Sequence, residues 1–564
     1  MHKTKSVYSR SIIIITLLSV ILGLLVRGYF LFNHFTICDD IGVAISITEA
    51  HDFFHKLYAF KYWTYGPFQF VFDVPLLYLA KTYQDFITLG RFPSFLFGVL
   101  SIFLCHSLLS KQNYRKEIVL WGDVLMALSW ELIIYSAQME PYIISVPFGF
   151  LILIVLTYWE KKSISDKRLC LITVIVTVIS CYSQFQLFLV VFTFYLAIFL
   201  SSLIQKNWKE IKLIIISGVA TVISCVPLLC HMLKSNMLGR SINWNIGVHG
   251  EFLFDTTSCN NAVDYFIYTV SFFAKNTFLI IKYFFTTDIA YVSNILAFVL
   301  LCFLVIGGIR TAHSAFVHKS RSSISIFLFC LIYLFLIVIG KQVLGPSRHS
   351  IVLIPYLVIL ILSGLQLTIQ YIKSAKAVKT LLLTLFLLEL VPFSISAREE
   401  MHERSNKISQ SIMDNVVETY HPAAIVGLEF RMFDFYIFDF YFNEYNNQPK
   451  WCEYSLLLKN GISCFEPGDK IVFMSCNQIK DSEIGKSVEL VDNEIFTDFL
   501  AKYNLNLVSS EENTSNRTID YAIGYWTVDL WPDGLCIYVY EISEKPGISD
   551  ESEVSENPAI SNEQ

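Results

Sequence analysis

Residues 11–32, SIIIITLLSVILGLLVRGYFLF, lead without a break into residues 33–41, NHFTICDDI. The first piece carries one charge, Arg27, in a run long enough to cross a bilayer, for which about 20 apolar residues suffice. Lys3, Lys5 and Arg10 stand before it. It outruns the roughly 7–15 residues of a signal-peptide core and lacks a small-x-small cleavage site, so it reads as a retained first span. The second piece sets Asp39 beside Asp40 just where the apolar run stops. A charge at the centre of a membrane helix costs about 2.5–3.5 kcal/mol on insertion scales, so the pair belongs at the water boundary. A like charge nearby and partial burial raise the pKa of one of two such carboxyls. That makes a proton acceptor useful near neutral pH. The plainer role for the same pair is a solvated helix cap.

Outward from this stretch the chain stays apolar. Of 564 residues, 54% are hydrophobic and 16% charged, against about 25% charged in an ordinary soluble chain. The composition is that of a polytopic α-helical membrane protein. No basic stripe of the kind that binds nucleic acid is present. Apolar runs near 11–32, 91–110, 118–137, 141–159, 169–184, 186–204, 211–232, 290–309, 324–340, 350–371 and 379–396 predict eleven spans. Basic residues test that count. Lys111, Arg115 and Lys116 share one loop, and Lys161, Lys162, Lys167 and Arg168 the next alternate one. Lys206, Lys209 and Lys212 follow, then Arg310, Lys319 and Arg321, then Lys373, Lys376 and Lys379. By the positive-inside rule these loops and the N-terminus face the cytoplasm. Asp39, Asp40 and the long C-terminal tail then face the other side, as an odd number of spans requires.

Two loops on that far side are long. In 33–90 the stretch Ile41 to Tyr58 has apolar residues at helical spacing, and Phe68 to Ala80 is too short to span, which predicts interfacial helices. In 233–289 the semi-apolar stretch 263–285 is expected to be interfacial too, because a span there would invert the charge alternation that follows. His51 and His55 share a helix face and could bind metal, but no third ligand is identified and an ordinary interfacial face explains them as well. Asp123, Glu131 and Glu389 fall inside expected spans and each needs a partner.

The organisation that results is a membrane domain over 1–396, an α/β domain over 397–546 and a disordered Ser/Glu-rich end over 547–564. Ala423 to Leu428, Lys470 to Met474 and Leu535 to Tyr540 are the short apolar runs expected to pack in the soluble domain, the last with strand-like alternation. Asn513 and Asn516 open glycosylation sequons by pattern alone. The 13 cysteines are scattered without a Cys-x-x-Cys, and Cys105, Cys170, Cys181, Cys225, Cys302 and Cys330 sit within apolar runs as small hydrophobes. Cys452, Cys464, Cys476 and Cys536 lie in the tail, where a disulfide is compatible with an oxidising compartment.

An acidic pair just after the first span resembles the signature of the GT-C membrane glycosyltransferases, and most resembles the branch of protein O-mannosyltransferases and aminoarabinose transferases. Residues 89–98, LGRFPSFLFG, are similar to that branch's Arg-x-Pro-Ser-x-x-x-Gly opening of the second span. Residues 135–142, YSAQMEPY, are similar to its polar hinge between spans three and four. Residues 345–350, GPSRHS, with Pro355 behind them, are similar to its late external arginine motif. The resemblance covers about residues 10–390. Two positions depart from it: Asp40 stands where the family usually has Glu, and Glu140 where it often has a basic residue.

The resemblance implies a GT-C fold and transfer of a sugar from a polyprenyl-phosphate-linked donor to a glycan, lipid or protein acceptor on the extracytoplasmic face. Asp39 would take the acceptor's proton, with Asp40 orienting it and Glu140 a further candidate at the site. Arg348 would clamp the departing phosphate, helped by Arg91, Lys341 and His349, as preorganised cations stabilise developing negative charge. For Arg348 and Arg91 the plainer alternative is snorkelling to lipid headgroups. One base opposite the lipid phosphate implies inversion. No cofactor is implied with certainty; a divalent metal is compatible with such a site and not demanded by it. A bacterial inner membrane fits better than the endoplasmic reticulum. The competing functions are a transporter or flippase of lipid-linked sugars, and a ligase or polymerase using a diphosphate-linked donor.

Overall fold

The computed structural model describes residues 10–33, 67–80, 83–234, 252–257, 259, 261–286, 290–403, 416–427, 450–453, 465–476, 505–513, 520–523, 526–529 and 535–543. It divides into two compact units, the first made chiefly of Met1–Gln410 and the second chiefly of the residues after it.

The first unit is helical: α1 Arg10–Asn33, α2 Phe70–Leu77, α3 Tyr83–Lys111, α4 Lys116–Ala127, α5 Trp130–Tyr135, α6 Ser145–Lys161, α7 Asp166–Ser183, α8 Leu187–Ile204, α9 Trp208–Lys234, α10 Ala262–Phe285, α11 Ala290–His313, α12 Arg321–Val338, α13 Ile354–Tyr371 and α14 Ala375–Glu403. Among the described residues eight helical stretches are long and apolar enough to cross a membrane: Ser11–Asn33, Thr88–Lys111, Leu187–Ile204, Trp208–Leu233, Tyr291–His318, Arg321–Val338, Arg348–Tyr371 and Ala375–Ala397. The chain is a polytopic helical membrane protein.

The stretch expected to span over 118–137 is two helices rather than one. Ser129 breaks it: its hydroxyl accepts from Leu132 N at 3.4 Å as the cap of α5 and donates to the Phe284 carbonyl. This apolar stretch is nonetheless central. Trp121, Val124, Leu125, Ile133 and Ile134 are at most 1% exposed, so α4 and α5 are enclosed by protein, with Glu117, Asp123 and Glu131 buried among their apolar residues. The outer helices keep large apolar side chains outward, such as Leu18, Ile21 and Leu25 on α1 and Ile215, Val219 and Ile223 on α9. Arg27, the one charge of the first span, is buried. It caps α4 instead, donating to the Met126 carbonyl at 2.9 Å and to that of Ala127. Asp123 finds its partner in His106 Nδ1 at 2.8 Å, while Glu389 is buried on α14.

The basic loops meet at one end of the bundle. Arg321 donates to Glu210 and to the Trp159 carbonyl, Lys162 Nζ reaches Glu210 Oε1 at 3.1 Å, and Lys161 donates to the Lys111 carbonyl. Residues 68–80 contain only the short α2, and 263–285 form α10, which is not among the eight helices. Residues 41–58, with His51 and His55, and residues 547–564 lie outside the described residues.

The second unit is built on a five-stranded sheet. Its strands are β1 Ala424–Gly427, β2 Lys450–Glu453, β3 Lys470–Cys476, β4 Leu505–Asn513 and β7 Leu535–Ile542, in the order β2-β1-β3-β7-β4. The short β1 is parallel to both β2 and β3, and β7 is antiparallel to β3 and β4. Val426, Ile471, Phe473, Leu505 and Ile542 form its core. A separate hairpin joins β5 Asp520–Ile523 to β6 Trp526–Asp529. The composition change at 397 falls inside α14.

Candidate functional site

At the end of the bundle away from the basic loops, three segments distant in sequence converge: the first turns of α3, the hinge 136–144 between α5 and α6, and residues 342–350 between α12 and α13. Small residues permit the approach. A Cβ at Gly98 would collide with the Ser136 hydroxyl, and one at Gly90 would lie 2.6 Å from the Met139 methyl. Gln69, just before α2, ties the first two together. Its Nε2 donates to the Met139 carbonyl at 2.8 Å and to Ser94 Oγ at 3.1 Å.

The third segment joins through charge. Arg348 Nη1 donates to Glu140 Oε2 at 2.8 Å, and the guanidinium lies 5.2 Å from the centre of the Tyr142 ring. The side chains of this pair are 11% and 4% exposed, so the bond is shielded from water. Tyr142 meets the His349 ring edge-on at 6.1 Å. Backbone bonds fix the loop that carries Arg348. Gln186 Nε2 donates to the His349 carbonyl at 2.8 Å, Ser350 Oγ donates to the Gly345 carbonyl at 2.6 Å, and Leu344 N donates to the Phe252 carbonyl at 3.0 Å. Beside Phe252, Asp255 accepts from Thr257 N at 2.9 Å, and that bond holds its carboxyl below the usual carboxylate range.

Among the described residues, the charged side chains in or next to these segments include Arg91, Arg348, Asp73, Glu131 and Glu140. Arg91, Asp73 and Glu140 are at most 4% exposed. Buried charge of this kind is tolerated when positive and negative groups balance. The arrangement can hold an anion at Arg348 while Glu140 and Tyr142 fix the guanidinium's orientation.

Of the residues singled out in the sequence, Glu140, Arg348 and His349 come together here. Arg91 is fully buried on α3, one turn before Ser94. Lys341 is exposed, just past Gly340, whose φ of +66° ends α12. Asp39 and Asp40 lie outside the described residues. Gln69, Asp73, Gln186 and Gln342 were not singled out. The amides of Gln69, Gln186 and Gln342 stand in short turns between apolar runs, and Asp73 inside the short α2; sequence alone gives none of them a partner. Among the described residues no three His, Cys, Asp or Glu side chains gather as metal ligands.

The sequence matches no family model and no curated protein. Solved structures do match. ArnT from Cupriavidus metallidurans bound to undecaprenyl phosphate aligns with a TM-score of 0.49 at 11% identity, over 93% of this chain and 97% of that one. Its apo state gives 0.48 at 11% identity, over the same shares of the two chains. The Archaeoglobus fulgidus oligosaccharyltransferase in the apo form gives 0.43 at 13% identity, over 68% of this chain and 56% of that one. This chain thus spans a little over half the length of the archaeal enzyme. The chain is a polytopic, mostly helical membrane protein with a C-terminal sheet, similar to these GT-C membrane glycosyltransferases.

Proposed function

We propose that the chain is an integral-membrane glycosyltransferase that passes a sugar from a polyprenyl-phosphate donor to a glycan, lipid or protein acceptor. The observation that carries this reading is the Glu140–Arg348 pair, which joins two of the motifs by which the sequence resembles such enzymes. In the reaction the C1–O bond to the phosphate breaks as the acceptor oxygen attacks the opposite face, through an oxocarbenium-like state with inversion. Asp39 removes the acceptor proton and Asp40 orients it, a contribution of about 10²–10⁴-fold. Arg348 holds the departing phosphate, with His349 beside it, Lys341 a helper on the same loop and Arg91 a further helper from α3. Glu140, engaged with Arg348, serves better as its anchor than as the base. A divalent metal is compatible with this chemistry.

A transporter of lipid-linked sugars would place its polar groups near the midplane. Here they gather between helix ends, which supports transfer. The gathering of Lys111, Lys161, Lys162 and Arg321 at the other end supports a cytoplasmic location for that end, with the acidic pair and the C-terminal domain outside. The broken α4–α5 pair and the short α6 and α7 complete eleven crossings, in what we take to be a bacterial inner membrane. The test is acceptor-dependent release of free polyprenyl phosphate from a panel of polyprenyl-phosphate sugars. Wild type releases it and folded Asp39→Asn is slower by about 10²–10⁴-fold. Equal rates would move the base elsewhere.

A further inference from the structure

We propose that Cys181 and Cys225 are a modification site: a dithiol that a lipid-soluble quinone oxidises to a disulfide joining α7 to α9. The two helices run side by side in a fixed register. Thr177 Oγ1 lies 2.9 Å from Thr221 Oγ1, 44 residues on in sequence. One helical turn further along both helices, in the same register, stand Cys181 and Cys225, both buried and both on one cavity wall. Beside them Tyr182 Oη donates to the Ser224 carbonyl at 3.0 Å, which holds the register at the level of the sulfurs.

Both cysteines line a cavity of about 450 Å³ among α7, α8 and α9, walled by Phe188, Tyr195, Ile214, Val222 and Leu229. The polar groups in its floor turn to each other. Tyr195 Oη is 2.8 Å from Thr221 Oγ1 and 3.2 Å from Thr177 Oγ1, which leaves an apolar wall. α8 and α9 are among the helices apolar enough to cross a membrane, so this cavity faces hydrocarbon. A reagent that reaches the thiols must therefore dissolve in lipid. A water-soluble disulfide does not. A quinone meets both demands, being apolar and a two-electron, two-proton acceptor. The sulfur–sulfur bond forms, both S–H bonds break, and the two hydrogens and two electrons leave with the quinone as quinol. The product clamps α7 to α9 and fixes the width of the cavity on that side. This inference stands apart from the glycosyltransferase reading.

The experiment uses the full chain in lipid vesicles, treated with a fully ring-substituted, short-chain benzoquinone, which has no free position for thiol addition, or with oxidised glutathione. The protein is then denatured, alkylated, digested and weighed. The expected result with quinone is a linked pair of peptides holding Cys181 and Cys225, with loss of both alkylation sites. Oxidised glutathione leaves both sites alkylated. Cys181→Ser and Cys225→Ala each abolish the link, with the folding of each variant checked beforehand by its thermal midpoint in detergent. Full alkylation of both cysteines after quinone would overturn the proposal, as would linkage of either to another cysteine. Equal oxidation by glutathione would overturn the lipid-phase route.

Discussion

At Arg348 one edge of the guanidinium is held by Glu140 and one face lies over Tyr142, so the side chain meets a ligand already oriented. Arg348→Lys keeps the charge and loses the planar fork. Turnover of a polyprenyl-phosphate donor is expected to fall by about 10–100-fold, the kinetic equivalent of one charged hydrogen bond. Glu140→Ala strands a shielded cation and is expected to cost about 3 kcal/mol or more of stability, read as a lower thermal midpoint in detergent. A midpoint equal to wild type would uncouple the two residues. Arg348 was legible as a candidate from its motif, and Glu140 from its departure from that motif. Their pairing was not legible, because no periodicity links residues 208 apart. The same holds for Asp123, whose need for a partner could be read from its apolar surroundings, though His106 could not be named.

Elements show where apolarity alone stops being informative. Over 118–137 the sequence is apolar enough for one span, and Ser129 followed by Glu131 was the only mark of the break between α4 and α5. Buried helices lack a polar face, so their ends leave little trace. The crossing of α11 on α13 is similarly hidden. A Cβ at Gly307 would strike the Leu360 carbonyl, and one at Gly364 the Phe303 carbonyl, whereas Gly308 has open space. Gly307→Val is therefore expected to destabilise by about 1–3 kcal/mol through overpacking, and Gly308→Val to leave the thermal midpoint unchanged. Equal midpoints for the two variants would contradict this packing. In the tail the short apolar runs at 423–428, 470–474 and 535–540 contain β1, β3 and β7, and the last carries the alternation that signals a half-buried strand.

Across the whole molecule, the alternation of basic loops in the sequence corresponds to a physical end, where Lys111, Lys161, Lys162, Glu210 and Arg321 meet. The hinge and the 342–350 segment meet at the other. In sealed vesicles, Lys206→Cys and Asp469→Cys are expected to react with an impermeant maleimide from opposite sides; labelling from one side would contradict the orientation. The broad plan was legible because hydropathy and charge are local properties of the chain, while the site is a product of which helix ends meet. The central claim is that Arg348 forms the heart of a lipid-phosphate site. The most direct test is native mass spectrometry of the full chain with a polyprenyl phosphate and with the matching neutral polyprenol. Wild type is predicted to retain the phosphate over the alcohol, and folded Arg348→Ala to lose that preference by about ten-fold or more. Retention of the phosphate by Arg348→Ala at the wild-type level would contradict the account.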